Sequence, residues 1–301
     1  MGISHYLKEI GRGKDGARPL TQEQAADLLG QVLDGAVSDL EVGGFCIAMR
    51  VKGETPEEMA GFLDALHARL NRLPAGRAPT VVLPSYNGAR KLPVLTPLLA
   101  LLLAREGLAV LVHGTPTESK RVVASEVLEA LDVPALPAIK AIAPGEVAFA
   151  PTGLLSPALT RLLEVRRLLG LRNPAHSLVK LMTPVLGKSL LVSSYTHPEY
   201  AISMAETFAR TGANALLLRG TEGEAVADAR RAPQMQGFIG GQRVLHDEGL
   251  KGTLASVPDL PKEIDAASTA AYIRSVLNGN TPLPASIAQQ VAHIVQLTRQ
   301  L

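Results

Sequence analysis

The sequence predicts an α/β protein in which a small helical domain sits beside a larger α/β domain with a mostly parallel sheet. Five short apolar runs of strand length recur at 81–83, 108–112, 147–149, 190–193 and 215–218, most of them separated by segments with helical spacing. Strand and helix in alternation call for crossovers that cover both faces of a parallel sheet. The chain ahead of the first run carries helical patterns only, and 301 residues exceed the usual single-domain size.

The helical unit opens with Thr21 and Gln24, a capping box, followed by Ala25, Leu28, Leu29, Val32 and Leu33 until Gly35 stops the run. Ser38 with Glu41 repeats the device in a segment that ends at Gly53. Thr55, Pro56 and Glu58 give a third helix its N-cap, N1 proline and N3 acid, with Met59, Phe62, Leu63, Leu66 and Leu70 on one face. The stretch 71–79, "NRLPAGRAP", has linker composition. Helices are expected at 94–105, 118–131, 157–169, 198–210, 266–277 and 284–301, whereas 221–261, rich in glycine and charge, yields no firm assignment.

Composition narrows the class. Apolar residues make up 47% and charged residues 19%, the balance of a compact globular chain. The longest apolar run, 92–104, holds two prolines and is too short to cross a bilayer, so no membrane partner is expected. The start "MGISHYLKEIGRGKDG" lacks a signal-peptide core and Cys46 is the single cysteine, which together predict a cytoplasmic protein with a packed, inert thiol. The formal net charge is only +2, but between residues 150 and 197 six cations (Arg161, Arg166, Arg167, Arg172, Lys180, Lys188) face one acid, Glu164. On one face they would form a local positive field.

The turn "PSYNGARKLP", residues 84–93, follows the first apolar run, where α/β proteins commonly hold phosphate, and it carries the adjacent cations Arg90 and Lys91. Lys120 and Arg121 are read at a helix start, where the macrodipole favours acids, so a ligand is a reasonable motive for them. Arg166 and Arg167 lie on an amphipathic helix. His113 ends a strand with no carboxylate motif beside it and reads as structural, as do His176 and His197. The sequence contains no zinc spacing, no Gly-x-Ser-x-Gly elbow and no Walker loop. Aromatic residues amount to 3%, so any base stacking would rest on tyrosines such as Tyr86 and Tyr195.

The string "GGFCIAMRVKGETPEEMAGFLDA" resembles the helical domain of the anthranilate phosphoribosyltransferases, and the likeness continues at "VHGTPTESKRVVASEVLEAL", "LLEVRRLLGLR" and "AAYIRSVLNGN". It implies their fold, shared with related nucleoside phosphorylases. The chemistry departs from it. Where those enzymes have a bare Gly-Thr-Gly-Gly-Asp loop for pyrophosphate, this chain reads Pro84, Ser85, Tyr86, Asn87, Gly88, so the backbone is not expected to cradle a phosphate. Their Asn-Ile-Ser-Thr becomes Val94, Leu95, Thr96, Pro97. Their adjacent Asp-Glu pair for magnesium is missing from "LRGTEGEAVADARR", which holds Glu222 and Glu224 apart and Arg219 before the glycine. Ser119, Lys120 and Arg121 replace a serine-rich segment, Lys180 stands at a proline position, and Arg167 matches an arginine that contacts anthranilate in the enzymes.

This set of replacements resembles the YbiB-type paralogues, homodimeric relatives that bind nucleic acid. The resemblance implies a homodimer formed through the helical domain and sequence-tolerant binding of single- or double-stranded DNA or RNA in a basic groove. The residues expected there are Arg90, Lys91, Lys120, Arg121, Arg166, Arg167, Arg172, Lys180 and Arg219, with no catalytic residue, metal or cofactor. The alternative is a phosphoribosyltransferase with an altered substrate, for which His113, Gly114 and Arg167 survive. The expected division is 1–76 with about 157–188 in the helical domain and 77–156 with 189–301 in the α/β domain.

Overall fold

The computed structural model describes residues 2–13, 15–117, 120–252 and 257–301. Four helices open the chain: α1 (Ser4–Ile10), α2 (Gln22–Leu33), α3 (Asp39–Lys52) and α4 (Pro56–His67). The three expected capping boxes all form, at Thr21, Ser38 and Thr55, so the last three of these helices start where their side chains can take up the free N–H groups. The first helix has no side-chain cap and gave no sequence signal. It is held instead by buried Ile3 and Ile10, and by Glu41 accepting the Ile3 N–H at 3.2 Å.

The sheet has seven strands: β1 (Thr80–Pro84), β2 (Ala109–Gly114), β3 (Val147–Pro151), β4 (Ser189–Tyr195), β5 (Ala215–Arg219), β6 (Met235–Ile239) and β7 (Gln242–Asp247). Their order is β3-β2-β1-β4-β5-β6-β7, with the first five parallel and the last two antiparallel. All five expected strands are present. The hairpin β6–β7 occupies the stretch that sequence periodicity left open, because Gly237, Gly240 and Gly241 interrupt any apolar alternation there.

Crossover helices α5 (Thr96–Arg105), α6 (Ala124–Ala130) and α10 (Pro198–Thr211) connect the parallel strands, and α11 (Ala266–Leu277) and α12 (Ala285–Thr298) close the chain. The sixth helix begins later than expected. Lys120 and Arg121 precede it, and Val122 instead pairs with Ala89 in an antiparallel bridge, so the macrodipole argument for these two cations does not apply. Glu118 and Ser119 lie outside the described residues.

Strand alternation sorts the core into two layers. Val81, Leu83, Val110, Val112, Leu190, Val192, Leu216 and Leu218 pack with α5, α6, α11 and α12. Val82, Leu111, Leu191 and Leu217 point the other way, into a core shared with the N-terminal helices. Between β3 and β4 the chain leaves the sheet as α7 (Thr152–Leu155), α8 (Pro157–Leu169) and α9 (Ala175–Leu181) and joins that helical layer. The linker-like segment after α4 is stitched down, with Leu73 bridging Val185 and Asn71 donating to Leu155. Cys46 is buried there, and desolvation pushes its thiol up to about 12, as expected of an inert packed cysteine.

The helical layer turns on Glu58. It is 0% exposed, yet its carboxylate accepts from Leu20 N at 2.9 Å, Thr55 N at 2.9 Å and Lys52 Nζ at 2.6 Å. One side chain thus caps α4, receives the chain entering α2 and neutralises the last residue of α3. Replacing it strands a buried ammonium and two N–H groups. Glu58→Ala is expected to cost about 3–5 kcal/mol, measured as a lowered urea-unfolding midpoint.

Candidate functional site

The strand order reverses between β1 and β4, and the loops at the carboxyl ends of β1, β4 and β5 converge there, where open α/β sheets form their ligand crevice. The loop after β1, Ser85 to Gly88, does not stand open. Glu224, from the connection after β5, is 1% exposed and inserts its carboxylate into it. One oxygen accepts the backbone N–H groups of Asn87 at 2.9 Å and Gly88 at 2.8 Å. The other accepts from Ser85 Oγ and, at 3.0 Å, from Thr96 Oγ1 on the first residue of α5. Glu222 serves the next stretch of the same loop, accepting from Arg90 N at 2.7 Å and Lys91 N at 3.2 Å. The loop does make an anion cradle, contrary to the expectation from its missing glycines, and the chain's own carboxylates fill it.

The β5 connection is shaped for this task. Glu222 has φ 52°, a left-handed conformation that costs a non-glycine residue roughly 1–2 kcal/mol. Gly223 follows at φ 87°, and a Cβ there would lie 1.8 Å from Asn87 Nδ2. The Gly223 carbonyl accepts from Ser194 Oγ at 2.9 Å and Lys180 Nζ at 3.1 Å. Beyond Glu224, the buried amide of Gln290 on α12 holds Ala225 O and Ala227 N at 2.9 and 2.8 Å.

Tyr86 turns into the core and is 3% exposed. Its hydroxyl accepts from Thr152 Oγ1 at 2.9 Å and lies 2.8 Å from His113 Nδ1. His113 is buried, and its Nε2 has no partner among the described residues. Burial pulls its imidazole down to about 3. Tyr86 and Tyr195, at 3% and 8% exposure, are not open stacking platforms, which corrects the expectation for both. Tyr200 is the exposed ring nearby, 6.2 Å from the His197 ring.

Beside the cradle lies a cleft of about 460 Å³ between α3, α9, α10 and the end of β4. Its lining includes Arg50, Arg172, His176, Lys180 and His197 against one acid, Glu54, whose carboxyl is pushed up by burial. Lys180 is pulled down to about 8, first by desolvation and then by the neighbouring charge of Arg172, with Glu224 opposing. Arg172 and Lys180 therefore share this cleft. Arg219, exposed at the end of β5, is paired in register with Tyr195, which lines the cleft.

A second group surrounds the cradle loop. Arg121 donates to Gly88 O at 3.4 Å on the loop that exposes the Arg90 and Lys91 side chains, and Arg166 donates at 3.3 Å to Thr117 O in the connection after β2, whose Thr117 Oγ1 bonds Tyr86 O at 2.6 Å. Lys120, exposed, adjoins Arg121 in the chain. Arg167 belongs to neither group by contact and lies on the outer face of α8, 4.0 Å from Glu164. Sequence reasoning missed Arg50 and the role of the two glutamates. The available signal was "TEGE", two acids flanking a glycine directly after a strand.

Residues 4–69 match the helical bundle domain of the glycosyl transferase family. YbiB of Escherichia coli K12 is 42% identical over 97% of this chain and 93% of its own length. The chain belongs to the anthranilate phosphoribosyltransferase-like family. An anthranilate phosphoribosyltransferase of Nocardioides is 28% identical over 87% of the chain and 78% of its own length. The crystal structure of the Thermus thermophilus enzyme superposes with a TM-score of 0.69 at 25% identity, covering 95% of this chain and 85% of that one.

Membership raises the question of a magnesium site, and the residues here do not fit one. Ala225 follows Glu224, so the acids are not adjacent, and both Glu224 oxygens are taken by N–H and O–H donors. No cluster of three metal-ligating side chains occurs among the described residues.

Two outcomes test the geometry. Gly223→Ala is expected to destabilise by more than about 1 kcal/mol, measured by urea unfolding, because the positive φ and the Asn87 contact both resist a Cβ. His113 titrates near 3 when folded and near 6.5 when unfolded. Its contribution to stability is thus complete above 6.5 and lost as the pH falls toward 3, and His113→Gln should flatten that limb of the stability–pH curve.

Proposed function

We propose that this protein binds nucleic acid, sequence-tolerantly and as a homodimer in the cytoplasm, on a phosphoribosyltransferase scaffold that no longer transfers phosphoribosyl groups. The observation that carries the reading is the filled cradle: a pyrophosphate would have to displace two of the chain's own carboxylates, while Arg50, Arg90, Lys91 and Lys120 expose their side chains outside it. The cleft group, Arg50, Arg172 and Lys180, and the loop group, Arg90, Lys91, Lys120, Arg121 and Arg166, are linked through the Glu222–Glu224 connection. Contacts of this kind follow a backbone and read no bases. Among the described residues no helix is long and apolar enough to cross a membrane. The self-association is supported by Leu40, Ile47 and Val51, exposed apolar residues along one face of α3.

Family membership by itself supports glycosyl transfer with an altered substrate at least as well. The cleft, large enough for a small aromatic ring, favours that second reading. Turnover of phosphoribosyl pyrophosphate with an aromatic amine or base would establish it.

The deciding measurement is affinity for random-sequence single- and double-stranded oligonucleotides across a salt series. Alanine at Arg90, Lys91, Lys120 and Arg121 together is expected to weaken binding to all sequences alike and to flatten the logarithmic salt slope by about 3–4. Affinity should also fall as the pH rises through about 8, where Lys180 loses its charge, and Lys180→Arg should remove that dependence. Absence of binding at low salt overturns the reading.

A further inference from the structure

The cradle has the donor set of an oxyanion site. Two successive backbone N–H groups, the second from Gly88 at φ 63°, meet one oxygen of a carboxylate whose other oxygen takes two hydroxyls, one of them at the start of the ten-residue α5. Such concave arrangements of donors bind phosphate and similar anions in many loops. Here the occupant is covalently part of the chain. A tethered carboxylate competes at high effective concentration against any anion from solution.

We propose that Glu224 is an internal stand-in for phosphate: its carboxylate occupies a working oxyanion cradle and excludes external phosphate from it, making residue 224 the determinant of which anion the loop holds. The positioning of the residue argues for construction over accident. Left-handed backbone at Glu222 and Gly223, and the Gln290 clamp beyond, fix the connection at both ends of the inserted side chain. Glu222 seals the adjoining Arg90 and Lys91 amides, so the neighbouring donors are not an alternative landing point. Lys180, hydrogen-bonded to Gly223 O, lies close enough to feel the Glu224 charge and would balance a bound phosphate as it balances the carboxylate. The inference does not depend on nucleic acid being the partner of the outer cations.

The test uses the full chain and inorganic phosphate, with pyrophosphate in parallel. In the unsubstituted protein neither anion should move the Asn87 and Gly88 amide resonances, relative to chloride at matched ionic strength. Glu224→Ala opens the cradle, and Glu224→Gln keeps the volume while removing the charge. Both should gain phosphate affinity at least about tenfold over the unsubstituted protein, with shifts at those two amides and a phosphate-specific rise in Tm. Phosphate binding to the unsubstituted protein at these amides would overturn the proposal. So would folded variants that ignore phosphate, or variants that fail to fold in phosphate as well as in chloride, since the anion would then not replace the carboxylate.

Discussion

A carboxylate removed from water must be met by donors, and four donors removed from water must be met by an acceptor. At the centre of this molecule the two requirements answer each other in Glu224. Ser85, Asn87, Gly88 and Thr96 gather about it because no solvent reaches them there. The same demand explains the left-handed turn at Glu222 and Gly223 and the Gln290 clamp on the following strand of backbone. With the loop drawn down onto Glu224, Tyr86 has nowhere to go but inward, where His113 and Thr152 satisfy its hydroxyl.

The consequence for function is a division of labour among charges. The interior anion cradle is electrically closed by Glu222 and Glu224, so the positive field of the site comes from side chains displayed around it. Arg50, Arg172 and Lys180 line a cleft with one acid of raised pKa, and Arg90, Lys91, Lys120 and Arg121 stand on loops above the sheet. The scaffold of the family is kept, with the loop after β1 filled by Glu224 and the cations displayed outside it.

Much of this architecture was legible from local rules. Capping boxes at Thr21, Ser38 and Thr55 announced three helix starts, because a hydroxyl and a Gln or Glu three residues later serve the same few N–H groups wherever they occur. Buried parallel strands announced themselves as apolar runs. The β6–β7 hairpin and the short first helix carried no such local pattern, since glycines broke the former and tertiary contacts alone hold the latter. The basic residues could be named from sequence but not placed together, and the cradle was misread for a related reason. Asn87 and Gly88 donate to an acceptor that only the folded sheet brings near, and nothing within the loop records it.

That distance has a meaning for how the chain reaches its final form. The hydroxyl of Ser85 and the carboxylate it meets are separated by 139 residues, so the acceptor for the loop after the first strand comes from the connection after β5. The crevice closes only where the far half of the chain meets the near half, a contact of long sequence separation. In a chain emerging from the ribosome, the residues of the N-terminal helices and of β1 are synthesised well before Glu224, and the site is completed from its opposite side.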